Sequence, residues 1–359
     1  MFNKFKLGDI CEIVSGTTPN TSCSKYWNGD INWITPAELS DDTIIINESV
    51  RKITRQAVID TGLKSFPPGT VILSSRAPIG KVAIAGREMY CNQGFKNLIC
   101  SERINNIYLY WFLKRNTQYL NSLGRGATFK EISKSIVSDI QISLPLIEEQ
   151  IKRAENLRKC WNVIILRKRE LCKLDDLIKA RFVEMFGNPI TNNKNFVVKK
   201  VIEVVKLQRG HDLPIQNRIQ NSTIPVWGSN GIVGYHNEAK SNSGIITGRS
   251  GTLGKVYYYA HPFWPLNTTL YSINTYNNNI IYLKYLLEFY ELQRFASGTG
   301  VPTLNRNEFH NEMIIDVPLD LQNEFADFVK QVDKSKLAVQ QSLDKTQELF
   351  DSLMQKYFG

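Results

Sequence analysis

Two short runs in this 359-residue chain look capable of chemistry: Gly248-Arg-Ser-Gly-Thr-Leu-Gly254-Lys255 and Glu238-Ala-Lys240. The first resembles a phosphate loop, in which backbone amides cradle phosphates and a lysine reaches the outer one. Its spacing is one residue too long, and Val256 stands where a Ser or Thr hydroxyl would hold magnesium. The second is half of a nuclease-type motif, and the converging carboxylates that metal-assisted cleavage needs are not identifiable around it. Neither Asn-Pro-Pro-aromatic nor Asp-Pro-Pro-aromatic occurs, so amino-group methyl transfer has no motif here. The histidines (His211, His236, His261, His310) are dispersed, and the cysteines at 11, 23, 91, 100, 160 and 172 form no CxxC pair. No catalytic residue, metal ligand, disulfide framework or directly bound cofactor is assigned, and a reducing cytoplasm is the expected compartment.

Binding is the other kind of chemistry open to the chain, and hydrogen bonding to nucleic-acid base edges would be one form of it. Arg and Lys match guanine, Asn and Gln match adenine, and Thr can meet a thymine methyl, whereas phosphate contacts only position a protein. Such side chains beside glycines, which permit close backbone approach, are Thr17, Thr18, Arg76, Lys81, Asn92, Gln93, Arg125 and Thr128 in the first half. In the second half they are Arg209, Asn230, Arg249, Lys255, Asn267, Arg294 and Thr303. Arg76 and Arg249 match between the halves, so fold or phosphate roles suit them better than base specificity. Trp33, Tyr90 and Phe95 have the faces to stack on an extruded base, but core packing is the expectation for them. The cluster Arg167-Lys168-Arg169 suits either phosphates or a solvated helix face.

These residues sit in a duplicated frame. Arg76-Ala-Pro-Ile-Gly80-Lys81-Val82 answers Arg249-Ser-Gly-Thr-Leu-Gly254-Lys255-Val256, and Ile107-Tyr-Leu-Tyr-Trp-Phe-Leu113 answers Ile281-Tyr-Leu-Lys-Tyr-Leu-Leu287. Gly124/Gly126 answers Gly298/Gly300, Leu144-Pro145 answers Val317-Pro318, and Leu177 through Gly187 has an echo in Leu349 through Gly359. All fall at offsets of 172 to 174 residues in one order, which identifies an internal repeat. Each copy opens with short β-rich runs such as Thr70-Val-Ile-Leu73 and Gly244-Ile-Ile-Thr247, followed by a helical pattern near 106–120 and 279–296.

No Gly or Pro then occurs between Pro145 and Gly187, or between Pro318 and Gly359. The first interval carries Ile147, Ile151, Ala154, Leu157, Trp161, Ile164, Leu171, Leu174, Ile178, Phe182 and Met185 mostly at spacings of three and four. Leu321, Phe325, Phe328, Val332, Val339, Leu343, Phe350, Leu353 and Tyr357 do the same in the second. Narrow stripes of this kind bury against another helix, and the order domain–helix–domain–helix favours an antiparallel pair. Two helices covering separate domains is the plainer alternative. The expected architecture is a pair of α/β (α+β) domains, 1–146 and 188–318, duplicated and joined by two long antiparallel coiled-coil helices, 147–187 and 319–359.

The net charge is +10, of which +5 falls in residues 1–146 and +4 in 188–318. An excess of Lys and Arg favours a polyanionic partner through counterion release. Apolar residues make up 42% and charged residues 22%, a globular balance, and no apolar window is long enough to span a bilayer. The N-terminus lacks the apolar run of a signal peptide, and no membrane partner is expected.

The segments Lys6-Leu-Gly-Asp-Ile10 with Ser15-Gly-Thr-Thr-Pro19, Val201-Ile-Glu-Val-Val205 with Gln208-Arg-Gly210, and Lys173-Leu-Asp-Asp-Leu-Ile-Lys-Ala-Arg-Phe-Val-Glu-Met-Phe-Gly-Asn-Pro189 carry a resemblance. With the duplicated layout, they make the whole chain resemble the specificity (S) subunits of type I restriction-modification systems. The central segment is the most specific of the three, and the second domain opening departs from the SGxTP pattern of the first. The resemblance implies two target recognition domains, each reading half of a split site in double-stranded DNA, and paired helices that set the unread spacer. It also implies docking of two methyltransferase (M) subunits, which use S-adenosylmethionine on adenine, and of motor-nuclease (R) subunits, which use ATP and Mg. The chain itself would then be non-catalytic. A stand-alone DNA-modifying enzyme and a coiled-coil scaffold protein remain the alternatives that the residues leave open.

Overall fold

A computed structural model describes residues 3–126, 130–219, 221–298 and 300–359. Two compact units emerge from the contacts: Met1–Lys168 with Gln341–Gly359, and Arg169–Gln340. Each contains a recognition domain and facing stretches of both long helices.

In the first unit, Asn3–Lys6 pairs antiparallel with Gln141–Leu144, so the strand that enters the domain lies beside the one that leaves it. One helical turn, Leu7–Ile10, buries its two apolar ends. The main sheet runs in the order Cys11–Ser15, Lys96–Cys100, Val71–Leu73, Val82–Ala85, with Ile45–Ile46 added parallel at the edge. Val71–Leu73 and Val82–Ala85 are buried on both faces, which is why they read as continuous apolar runs rather than alternating ones. A smaller sheet places Trp27–Ile34 between Lys52–Ile53 and Tyr90–Cys91.

The second unit repeats this plan. Val197–Lys200 pairs antiparallel with Met313–Asp316, and the turn Val201–Val204 follows. The main sheet runs Lys206–Arg209, Thr269–Asn274, Gly244–Gly248, Val256–Tyr259, and the smaller one places Ile224–Gly228 between Gly231–His236 and Trp264–Pro265. Both small sheets include a parallel contact, Trp33 opposite Tyr90 and Val226 opposite Trp264. Two copies of one mixed α/β module therefore make up the chain.

The ladders correct one sequence match. Ser74 faces Phe95 where Gly248 faces Thr269. The next residues, Ser75 and Arg249, donate their amides to Gly94 and Thr268, each at 2.8 Å. The counterpart of Arg249 is therefore Ser75, and Arg76 corresponds to Ser250. A slip of one residue moves a side chain to the other face of a strand, so the shared arginine letter does not denote a shared place.

Both Gly/Pro-free intervals are single helices, Ile147–Phe186 and Leu319–Phe358, of 40 residues each; that is roughly 60 Å at about 1.5 Å per residue. In the first unit Trp161 meets Phe350 and the Arg153 guanidinium lies over the Tyr357 ring. In the second, Asp175 pairs with Lys336 at 2.6 Å and Arg181 with Glu324 at 2.8 Å. Numbers rise along one helix as they fall along the other, so the pairing is antiparallel in each unit. The ion pairs lie at exposed edges and add little; the inward apolar residues, Ala154, Leu157, Ile164 and Leu343 in the first unit and Ile178, Phe182, Phe325, Val332 and Val339 in the second, are buried.

Two stripe positions fall outside that face. Ile147 and Ile151 are exposed, and the residue turned inward between them is Gln150, only 1% exposed. Its side chain accepts from the Asn105 amide (3.0 Å) and donates to the carbonyls of Pro145 (3.0 Å) and Arg103 (3.1 Å). Gln322 repeats this in the second unit, accepting from the Asn279 amide and donating to Val317 and Asn278, each at 2.8 Å. Asn105 and Asn279 cap the domain helices Asn106–Arg115 and Ile280–Phe289. One buried glutamine per unit thus ties the start of a long helix to the cap of a domain helix. Among the described residues no helix is long and apolar enough to cross a membrane.

Candidate nucleic-acid interface

Each domain's polar loops are positioned by a close backbone crossing. The Thr17 amide donates to the Cys91 carbonyl at 3.0 Å, and the His211 amide donates to Pro265 at 2.8 Å. A Cβ on Gly16 would overlap the Cys91 carbonyl oxygen, and one on Gly210 would overlap that of Leu266. Glycine is required at both points because backbone, not a movable side chain, fills the space. Gly16→Ala and Gly210→Ala are each expected to lower stability by about 1–3 kcal/mol, the usual cost of overpacking. Urea unfolding checks this, and unchanged midpoints would contradict it.

In the first unit, Thr17 is exposed at this crossing, and the Thr18 hydroxyl donates to the exposed Gln93 side chain. Asn92 is half-buried, and its side-chain oxygen accepts from the Gly94 amide in the same loop at 2.9 Å. The Lys81 ammonium donates to the Leu39 carbonyl at 2.7 Å. Arg76 is half-buried and borders a cavity of about 570 Å³ with Asn121, Lys130 and Glu131. Arg125 is exposed, with its backbone paired to Glu131 through two 3.0 Å hydrogen bonds. Thr128 lies outside the described residues.

In the second unit, four of the predicted residues come together. Arg209 reaches Asp212 at 3.2 Å, the Asn267 side-chain amide donates to the same carboxylate, and the Arg249 Nε donates to the Asn267 carbonyl at 2.8 Å. Arg209, Arg249 and Thr303 line a cavity of about 480 Å³. Its wall also holds Ser297, Asn305, Arg306 and Asn307, which sequence reasoning missed because no glycine flanks the last three. Lys255 and Asn230 form a separate exposed pair at 2.6 Å, and Arg294 lies over the rings of Tyr290 and Phe295.

Beside Arg306, His310 is buried and its Nε2 accepts from the Leu207 amide at 3.1 Å. That role needs a neutral ring, and burial, helped by Arg306 and Lys206, holds its pKa below the usual histidine value. The aromatic candidates are core: Trp33 packs with Ile53, Leu63 and Tyr90, and Phe95 with Phe66 and Ile72. Their flat faces are spent on apolar burial and are not offered to a base. On the helix, Lys168 and Arg169 are exposed. Among the described residues no three His, Cys, Asp or Glu side chains gather as a metal site.

A duplicated α/β module with arginine and asparagine side chains in its loops, carried on paired helices, defines the class: a two-domain repeat on a helical strut. The family model described as type I restriction modification DNA specificity domain matches residues 1–175 and again 193–348, and the chain belongs to that family. It is 29% identical over 398 residues to the type I restriction enzyme MjaIX specificity subunit of Methanocaldococcus jannaschii, covering 98% of this chain and 91% of that one. The crystal structure of the type I restriction-modification S subunit from M. genitalium shares the fold, with a TM-score of 0.65 and 17% identity over 100% of this chain and 96% of that one. A chain from work on complex assembly and conformational transition of the type I R-M system has a TM-score of 0.61 and 16% identity, covering 99% and 97%.

Proposed function

We propose that each unit reads one half of a bipartite site in double-stranded DNA and that the long helices set the unread spacer between the halves. The observation that carries this reading is the repetition of one strand order, one backbone crossing and one glutamine tie in two units of a single chain. Thr17, Thr18, Gln93 and Arg125 in the first domain, and Asn230, Lys255 and Arg294 in the second, present exposed or half-exposed polar groups suited to bases or phosphates. In this reading the chain is not itself an enzyme. The helices also dock two methyltransferase (M) subunits, which bring S-adenosylmethionine to adenine, and motor-nuclease (R) subunits using ATP and Mg join them. The purified chain should bind duplex DNA with a strong salt dependence and show no methyl transfer with S-adenosylmethionine and Mg. Turnover without partners, or binding indifferent to salt, would count against it.

The ruler role predicts its own result. Inserting a heptad after Lys168, matched by one after Gln341 to keep the helix pair in register, adds about 10 Å of helix. The spacer in the methylated target should lengthen while both half-sites stay unchanged; an unchanged spacer would remove the role.

A further inference from the structure

We infer that the second unit's arginine cavity is a DNA-backbone phosphate anchor, whereas the first unit's equivalent is occupied by the protein's own carboxylate. This rests on the DNA-reading function proposed above and divides labour within it.

Arg209, Arg249 and Arg306 share one cavity wall with Ser297, Thr303 and Asn305, and no carboxylate is among the described residues lining it. Each guanidinium is oriented by a bond that leaves other N–H groups free for a ligand: Arg209 by Asp212, Arg249 by the Asn267 carbonyl, Arg306 by the Asn307 side chain at 3.3 Å. A neutral base edge satisfies a single guanidinium with two acceptors. Three clustered cations repel one another, and an anion with several acceptor oxygens relieves that repulsion where a base cannot. Phosphate chemistry fits the cavity, and the backbone of the duplex is its source.

The first unit shows why the carboxylate is missing from the second. Its sheet buries Lys96, whose side chain is 8% exposed and pairs with Glu131 at 3.1 Å; Arg76 lies 3.9 Å from the same carboxylate. By the ladders, Lys96 corresponds to Leu270 and Glu131 to Thr303, both of which line the second cavity. An ammonium buried in the sheet needs a counterion. With leucine in its place, that need disappears: Asp212 pairs with Arg209 from outside the cavity lining, and among the described residues no carboxylate stands between the three arginines.

The test measures binding of the full chain to a fluorescent duplex pool of randomised sequence, with recovery of the bound sequences, at about 50 and 200 mM salt. Arg306→Gln and Arg209→Gln should each weaken binding. Each should also shrink the fall in affinity between the two salts by roughly three- to fourfold, the effect of one lost phosphate contact, with the recovered sequences unchanged. Glu131→Gln alone would strand Lys96, so Lys96→Leu with Glu131→Thr removes the first cavity's carboxylate together with its buried partner and frees Arg76; this pair should raise affinity and steepen the salt response. Altered recovered sequences with an unchanged salt response would make the arginines base readers and overturn the inference. Unchanged affinity and salt response would leave the cavity without a DNA ligand and overturn it too. If the parent chain binds no DNA, the proposed function falls as well.

Discussion

Exchanging residues 188–318 for the corresponding segment of a related chain should replace one half of the DNA target and leave the other half and the spacer as they were. Methylation profiling of a host carrying the parent or exchanged chain reads this directly. The exchange is mechanically reasonable because the segment enters and leaves through one antiparallel strand pair, Val197–Lys200 with Met313–Asp316. The graft must keep the surface that meets the helices: Tyr282, Leu283, Leu286 and Leu287 are fully buried, in one core with Phe182, Phe186 and Phe325. It must also keep Asn279, whose amide is held by Gln322 at 2.8 Å. A target changed in both halves, or in neither, would contradict modular reading.

The largest stability effect is expected at Phe182. It is fully buried, stacks on Phe289 with ring centroids 4.5 Å apart, and meets Phe186 at 5.0 Å and Phe325 at 5.5 Å. Phe182→Ala removes one ring from each of these contacts and leaves a void between rigid helices, so about 3–5 kcal/mol should be lost. That is a large fraction of the roughly 5–15 kcal/mol by which a domain is stable. Urea unfolding followed by tryptophan fluorescence should show the loss; a change under about 1 kcal/mol would mean that the site collapses around the void. The effect also explains the central segment Lys173–Pro189 in physical terms. Phe182 and Phe186 anchor the helix to the second domain, so these rings and Ile178 are packing residues rather than contacts to DNA, whereas Leu177 and Val183 are exposed.

Much of the architecture was legible in the residues. Freedom from Gly and Pro over two long intervals marks two long helices, and ordered matches at nearly one spacing mark two copies of a module. The inward faces were read well where leucine and aromatic residues form them and poorly at Gln150, because a polar residue buried by hydrogen bonds leaves no trace in an apolar stripe. The glycine criterion picked out Arg209, Arg249 and Thr303, which line one cavity. It passed over Asn305, Arg306 and Asn307, which reach the same cavity from a capped helix start rather than a glycine turn.

What the chain's letters determined alone is the duplication, the helical struts and the absence of a recognisable catalytic motif, since these depend on periodicity and spacing along one dimension. Which arginines share a cavity was decided only in three dimensions. Arg76 and Arg249 match as letters yet differ by one ladder position, and Lys96 with Glu131 finds its counterpart in Leu270 with Thr303 only once the strands are paired. Charge balance in a buried site is a property of neighbours in space, and strand register, which sets those neighbours, is fixed by packing across the sheet.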